Sequence, residues 1–182
     1  TDMTSLETEA SSFLARNLAS DKAAEGLKFI RRREVLRIAI GATLGNLKIP
    51  QIARALSEVT EIYLGSMLQV AKRKSDVDLD VSIVAMGRLG GQELGFGSDA
   101  DVMLVYKDDD PKAQSMAETL TGNFIALVKD SILEFELDLD LRPEGKNGPR
   151  IKSLSAYEGY YEKWAETWEF QALLRARPMF GS

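Results

Sequence analysis

The sequence predicts an α+β (mixed α/β) fold, with a helical segment over residues 1–75 that packs on a core over 76–182. Three observations predict it. Apolar residues recur every three or four positions through the first 75 residues, the period of helices with one buried face. From Val81 the period changes to two, the mark of a half-buried strand. Turn residues then divide the remainder into short strand-like and helix-like pieces, giving a small mixed sheet flanked by helices. A chain of 182 residues is long enough to bury a sizeable core without covalent staples.

Phe13, Leu14 and Leu18 share a helical spacing, and Asp21 is placed to cap a second helix. Leu27, Ile30, Val35, Leu36, Ile38 and Ile40 form an apolar stripe through that helix, and Gly41, Gly45 and Asn46 mark its end. Pro50 opens a third helix, since its missing N–H is one that a first turn leaves unbonded anyway. Ile52, Leu56, Val59, Tyr63, Leu64, Leu68 and Val70 carry the stripe onward, and Lys72, Arg73 and Lys74 suit the negative end of the helix dipole. Residues 80–86 read as a strand, and Val102, Leu104 and Val105 as a second one starting from Asp101. Asp108, Asp109, Asp110 and Pro111 break that strand in a solvated turn, and a helix follows over 112–130. Phe135, Leu137, Leu139 and Leu141 alternate as a third strand over 134–141, residues 142–149 form a loop, and 153–177 hold one or two helices.

Composition excludes much chemistry. With no cysteine there is no disulfide scaffold, thiol nucleophile or sulfur-bound metal. With no histidine there is no imidazole acid–base catalysis and no histidine-bound metal. Catalysis is left to carboxylates, hydroxyls, Lys, Arg, backbone amides and oxygen-bound metals. A net charge of −5 argues against broad nucleic-acid binding. The polar start and the lack of a long apolar run predict a soluble, cytoplasmic protein with no membrane contact. The chain opens on Thr1 and reads as a piece of a longer polypeptide.

Asp99 and Asp101 are two apart at the start of a strand, so both carboxylates point to one face. Like charges so close are best tolerated around a cation, and oxygen donors favour Mg²⁺. Five glycines fall between positions 87 and 97, just before the pair, where a backbone can turn sharply and meet a phosphate. Ser98 adds a hydroxyl. Asp138 and Asp140 form a second such pair, and either can complete a three-carboxylate cluster able to hold two metals. Arg142, Lys146, Arg150, Arg175 and Arg177 are candidates to neutralise a triphosphate. Neither a Walker loop nor a dinucleotide fingerprint is present. The run Arg31, Arg32, Arg33 reads as an exposed helix face, and Trp164 with Trp168 as a core pair one helical turn apart.

Three stretches together carry a resemblance. They are Met86-Gly-Arg-Leu-Gly-Gly-Gln-Glu-Leu-Gly-Phe-Gly-Ser-Asp-Ala-Asp-Val102, Leu141-Arg-Pro-Glu-Gly-Lys-Asn-Gly-Pro149, and Trp164-Ala-Glu-Thr-Trp-Glu-Phe-Gln-Ala-Leu-Leu-Arg-Ala-Arg-Pro178. In this order they resemble the marked stretches of the bacterial glutamine synthetase adenylyltransferase/adenylyl-removing family, in the DNA polymerase beta-like nucleotidyltransferase superfamily. The resemblance implies a polymerase-beta-like core, metal ligands at Asp99, Asp101 and Asp138, and nucleotide contacts at Gly90, Gly91, Gly97, Ser98, Arg142 and Lys146. Many members have Arg where this chain has Asp140, which leaves Asp138 and Asp140 both open as the third carboxylate, with Asp138 favoured. The implied chemistry is Mg²⁺-dependent transfer of AMP from ATP to a tyrosine of glutamine synthetase through two metal ions. Family members carry two such domains, one attaching AMP and the other removing it by phosphorolysis. The Gly-Phe-Gly-Ser-Asp-Ala-Asp run resembles the adenylylating copy more. Expected partners are glutamine synthetase and a PII-type signal protein. The rival reading outside this class is a catalytically silent module that binds nucleotide or a signal protein.

Overall fold

A computed structural model describes residues 3–16, 19–108 and 110–181. Leu18 and Asp109, named above, lie outside the described residues. Three helices come first: α1 (Met3–Arg16), α2 (Ser20–Thr43) and α3 (Ile49–Ser75). Pro50 stands in the first turn of α3, and Lys72, Arg73 and Lys74 in its last. Helix α2 ends on Gly45, whose φ of 71° is the left-handed conformation that glycine adopts without strain. Asp21 does not cap α2. Ala19 takes the cap position with no side-chain bond, and the Asp21 carboxylate instead meets Lys74 at 2.9 Å.

The core continues with β1 (Val81–Ala85), the short helix α4 (Gly87–Gly90), β2 (Ala100–Tyr106) and α5 (Pro111–Val128). Asp110 caps α5 by accepting from the Lys112 amide at 2.8 Å. The chain then forms β3 (Leu137–Asp138), a 3-10 turn at Gly145–Asn147, β4 (Ile151–Ser153), α6 (Leu154–Lys163), α7 (Thr167–Leu173) and β5 (Arg177–Phe180). The result is an α+β fold with a small mixed five-stranded sheet.

Strand β2 organises the sheet. One edge runs antiparallel to β1, with Ala85 opposite Val102. The other edge is shared by two parallel partners: Ala100 and Asp101 face Leu137 and Asp138, while residues 104–106 face β4. Strand β5 pairs antiparallel with the free edge of β1.

Alternation gives the sheet two apolar faces. Val81, Ile83, Ala85, Ala100, Val102 and Leu104 look toward α3 and α5 and join one cluster that runs from Leu6 to Ile151. The helices of residues 1–75 and the sheet therefore share a core. Met86, Met103 and Tyr157 form a smaller cluster on the opposite face, covered by Tyr161, Ala172 and Leu173 from α6 and α7. Among the described residues no helix is long and apolar enough to cross a membrane.

Three expectations are corrected. The strand read over 134–141 is only two residues long. The Asp138 carboxylate accepts the Asp140 amide at 2.7 Å, turning the chain out of the sheet, so the leucine alternation reflects core packing of a turn. Of Arg31 to Arg33 only Arg33 is exposed: Arg31 is buried with its guanidinium 4.1 Å from the Phe135 ring centre, Arg32 grips Asp130, and Arg33 bridges Glu9 and Glu34. Trp164 and Trp168 are 73% and 42% exposed. Trp164 lies at the C-terminal end of α6 and Trp168 in α7, so the break between the helices removes the one-turn relation.

Candidate active site

The hairpin from β1 to β2 builds the site. With Ala85 opposite Val102, the Met86 amide donates to the Asp101 carbonyl at 2.9 Å, bringing the start of α4 against Asp101. Gly87 has φ 49°, and a Cβ there would run into the Asp101 carboxylate. The Arg88 amide donates to that same carboxylate. The turn over residues 95–98 follows, with the Ser98 hydroxyl accepting from the Gly95 amide at 3.0 Å. Gly97 has φ 72° and open space around it.

Asp101 and Asp138 are directly opposite in the parallel β2–β3 pair, so their side chains share a face. Asp99 lies one position before β2 and is exposed. Burial, then the carboxylates of Asp138 and Asp99, push the Asp101 carboxyl above the ordinary carboxylate range, against the pull of the Arg88 amide. Asp140 is ion-paired instead. Its carboxylate is 3.3 Å from Lys146 and 3.6 Å from Arg142.

Two cavities meet at Asp99. One, about 390 Å³, is lined by Arg88, Phe96, Gly97, Ser98, Asp99 and Asp101. The other, about 470 Å³, includes Asp99, Asp138, Asp140, Arg142, Lys146 and Arg150 in its wall. Gly90 and Gly91 line neither of these two. Gly90 is buried, and a Cβ on it would meet the Arg175 carbonyl, so its bareness permits close packing of α4 against the chain after α7.

The cations divide by what they already hold. Arg142 is buried and donates to the carbonyls of Leu139, Gly148 and Pro149, which fastens the 142–150 loop. Arg177 forks onto Glu61, and Arg175 meets Glu93 at 2.6 Å. Lys146 and Arg150 are exposed on the cavity rim. Sequence reasoning did not single out Arg88, or Gly87 as the steric partner of Asp101. The available signal was the hairpin: once residues 85 and 102 pair, residues 87 and 88 must lie beside Asp101.

The family model of glutamate-ammonia ligase adenylyltransferase matches residues 1–182. The chain belongs to the glutamate-ammonia ligase adenylyltransferase family. It is 45% identical over 97% of its length to the bifunctional glutamine synthetase adenylyltransferase/adenylyl-removing enzyme of Leifsonia xyli subsp. xyli, of which it covers 18%. It is 40% identical, again over 97% of its length, to the enzyme of that name from Mycobacterium bovis, of which it covers 20%. The Nocardia farcinica enzyme is 38% identical over 88% of the chain, which spans 17% of it. The chain thus spans about a fifth of the length of these curated relatives.

Whether the acidic group suits a metal turns on its donors. All three side chains offer only oxygen, and Asp138 and Asp99 add to burial in pushing the Asp101 carboxyl up. That chemistry fits a hard dication such as Mg²⁺. Among the described residues no three carboxylates stand close enough, as placed, to hold one ion. Binding would therefore require the side chains to close in.

Proposed function

We propose that this chain is a nucleotidyltransferase domain that moves AMP from ATP to a tyrosine of glutamine synthetase. The relatives' names supply the acceptor enzyme. The observation that carries the reading is the pairing of Asp101 with Asp138 on adjacent strands, beside the 95–98 turn. Mg²⁺ held by Asp99, Asp101 and Asp138, with a second ion on Asp99 and Asp101, would make the tyrosine hydroxyl more acidic and offset charge on the departing pyrophosphate.

The chain's own groups take the remaining roles. The tyrosine oxygen attacks the α-phosphorus, a new O–P bond forms, and the bond to the bridging oxygen of pyrophosphate breaks in line. Asp138 accepts the hydroxyl proton. The Gly97 amide, the Ser98 hydroxyl and Arg88 bind the phosphates in the smaller cavity. Lys146 adds positive charge from the opposite rim, and Arg142 holds the loop that presents it. None of this needs an imidazole.

The test is AMP transfer from ATP to glutamine synthetase by the full-length protein and its Asp101→Asn variant. The substitution removes a charge with little change of shape, so transfer should fall at least about a hundredfold while the unfolding temperature holds. Retention of most activity with Mg²⁺ present overturns the site. Phosphate-dependent release of ADP from modified synthetase, without transfer, assigns the chain to the adenylyl-removing reaction. Metal-independent ATP binding with no turnover in either direction favours a silent binding module.

A further inference from the structure

Glu169, in α7, is 1% exposed, and among the described residues it forms no ion pair. Its carboxylate instead gathers donors from separate parts of the chain. The Glu144 amide donates at 3.1 Å, the Tyr160 hydroxyl at 2.9 and 3.1 Å to the two oxygens, and the Glu166 amide at 2.7 Å. Helix capping explains only the last: Glu166 caps α7 and Glu169 is its third residue. A solvated glutamate would cap equally well. Capping accounts neither for the burial of a charge nor for a bond to an amide 25 residues upstream.

The upstream amide belongs to the loop that presents Lys146 and Arg150. Glu144 sits there with φ 65°, a left-handed conformation that a non-glycine residue holds only under restraint. Its carboxylate binds Lys152 at 2.7 Å, and the Lys152 ammonium lies 5.1 Å from the centre of the Tyr160 ring. Tyr160 donates back to Glu169, closing a circuit of four side chains. Arg142 fastens the far end of the loop through the Gly148 and Pro149 carbonyls. Lys146 stands in the 3-10 turn between the two fastenings.

We propose that Glu169 is a positioning residue: by holding the Glu144 amide it fixes the 142–150 loop, and so sets Lys146 and Arg150 on the rim of the acidic cavity to receive an anionic phosphate of the nucleotide. The ordering of the loop stands independently, whereas its role toward nucleotide rests on the transferase reading.

Glu169→Gln in the full-length protein keeps the volume and replaces one acceptor oxygen with a donor. Hydrogen exchange across residues 143–148 should quicken about tenfold or more, with β1 and β2 unchanged. The KM for ATP should rise roughly 10- to 100-fold. Lys146→Ala should raise that KM in the parent protein but add little to it in the Glu169→Gln background, a coupling that loss of stability alone does not produce. Unchanged loop exchange overturns the proposal, as does full additivity of the two substitutions. If Glu169→Gln loosens the sheet as well, Tyr160→Phe, which removes one donor and keeps the ring, is judged by the same readouts. A parent protein with no AMP transfer would defeat the transferase reading, and loop exchange would then decide whether Glu169 orders the loop.

Discussion

At the scale of single residues, buried charge is tolerated where donors surround it. Asp130 is buried and accepts both Arg32 nitrogens, at 2.8 and 2.6 Å, and the Ile132 amide at 3.0 Å. Burial alone would push its carboxyl up, but the Arg32 and backbone hydrogen bonds outweigh that and hold it below the usual carboxylate range. A depressed native pKa contributes stability above the unfolded value of about 3.9, and that contribution is lost as the pH falls through the native pKa. Asp130→Asn should therefore cost about 3 kcal/mol at about pH 7 and appreciably less at about pH 3. Urea unfolding at both pH values checks this, and an equal gap at both contradicts it. Residue types alone singled out Asp99 and Asp101; the structure puts Asp101 in β2 and Asp99 one position before it. Glu169 and Arg88 were not legible, because their roles depend on contacts between segments far apart in sequence.

At the scale of elements, strong periodicity and cap chemistry carried furthest. Helix α3 runs from Ile49 to Ser75 behind its proline, and β1 and β2 fall within a residue or so of the expected bounds. Helix α5 follows the break at Asp110 and Pro111. The Asp110 cap satisfies an amide that the helix itself leaves unbonded, so Asp110→Ala should lower stability by about 1 kcal/mol in denaturant melts. Strands β3, β4 and β5 have two, three and four residues, too few for a period to show. The first of them was overextended because Phe135, Leu137 and Leu139 all join the main core. Strands β4 and β5 lie mostly outside the expected loop over 142–149 and helices over 153–177. Their existence depends on the edges of β2 and β1, which the local sequence does not encode.

At the scale of the whole molecule, helical and sheet segments stabilise each other. The Tyr63 hydroxyl donates to the Val128 carbonyl at 2.7 Å, and Gly65 packs against the Phe180 ring. Leu64, Met67 and Leu68 of α3 lie in one cluster with Ile83, Leu104 and Phe124. A chain begun at residue 76 would uncover this face of the sheet and of α5. It should lose cooperative thermal unfolding, which calorimetry detects, and a sharp transition in the shortened chain would show that residues 76–182 fold alone. The sequence order of helices, sheet and helices made the α+β class legible, but the coverage of opposite sheet faces by α3 with α5 and by α6 with α7 emerges only in three dimensions.

The divided edge of β2 has a consequence for variation among relatives. Strand β3 occupies its first two residues and β4 its last three, so the intervening stretch over 139–150 leaves the sheet and returns to it. Segments of other lengths could be grafted between those two anchors without sliding Asp138 along Asp101, so the loop can change while the acidic register stays fixed.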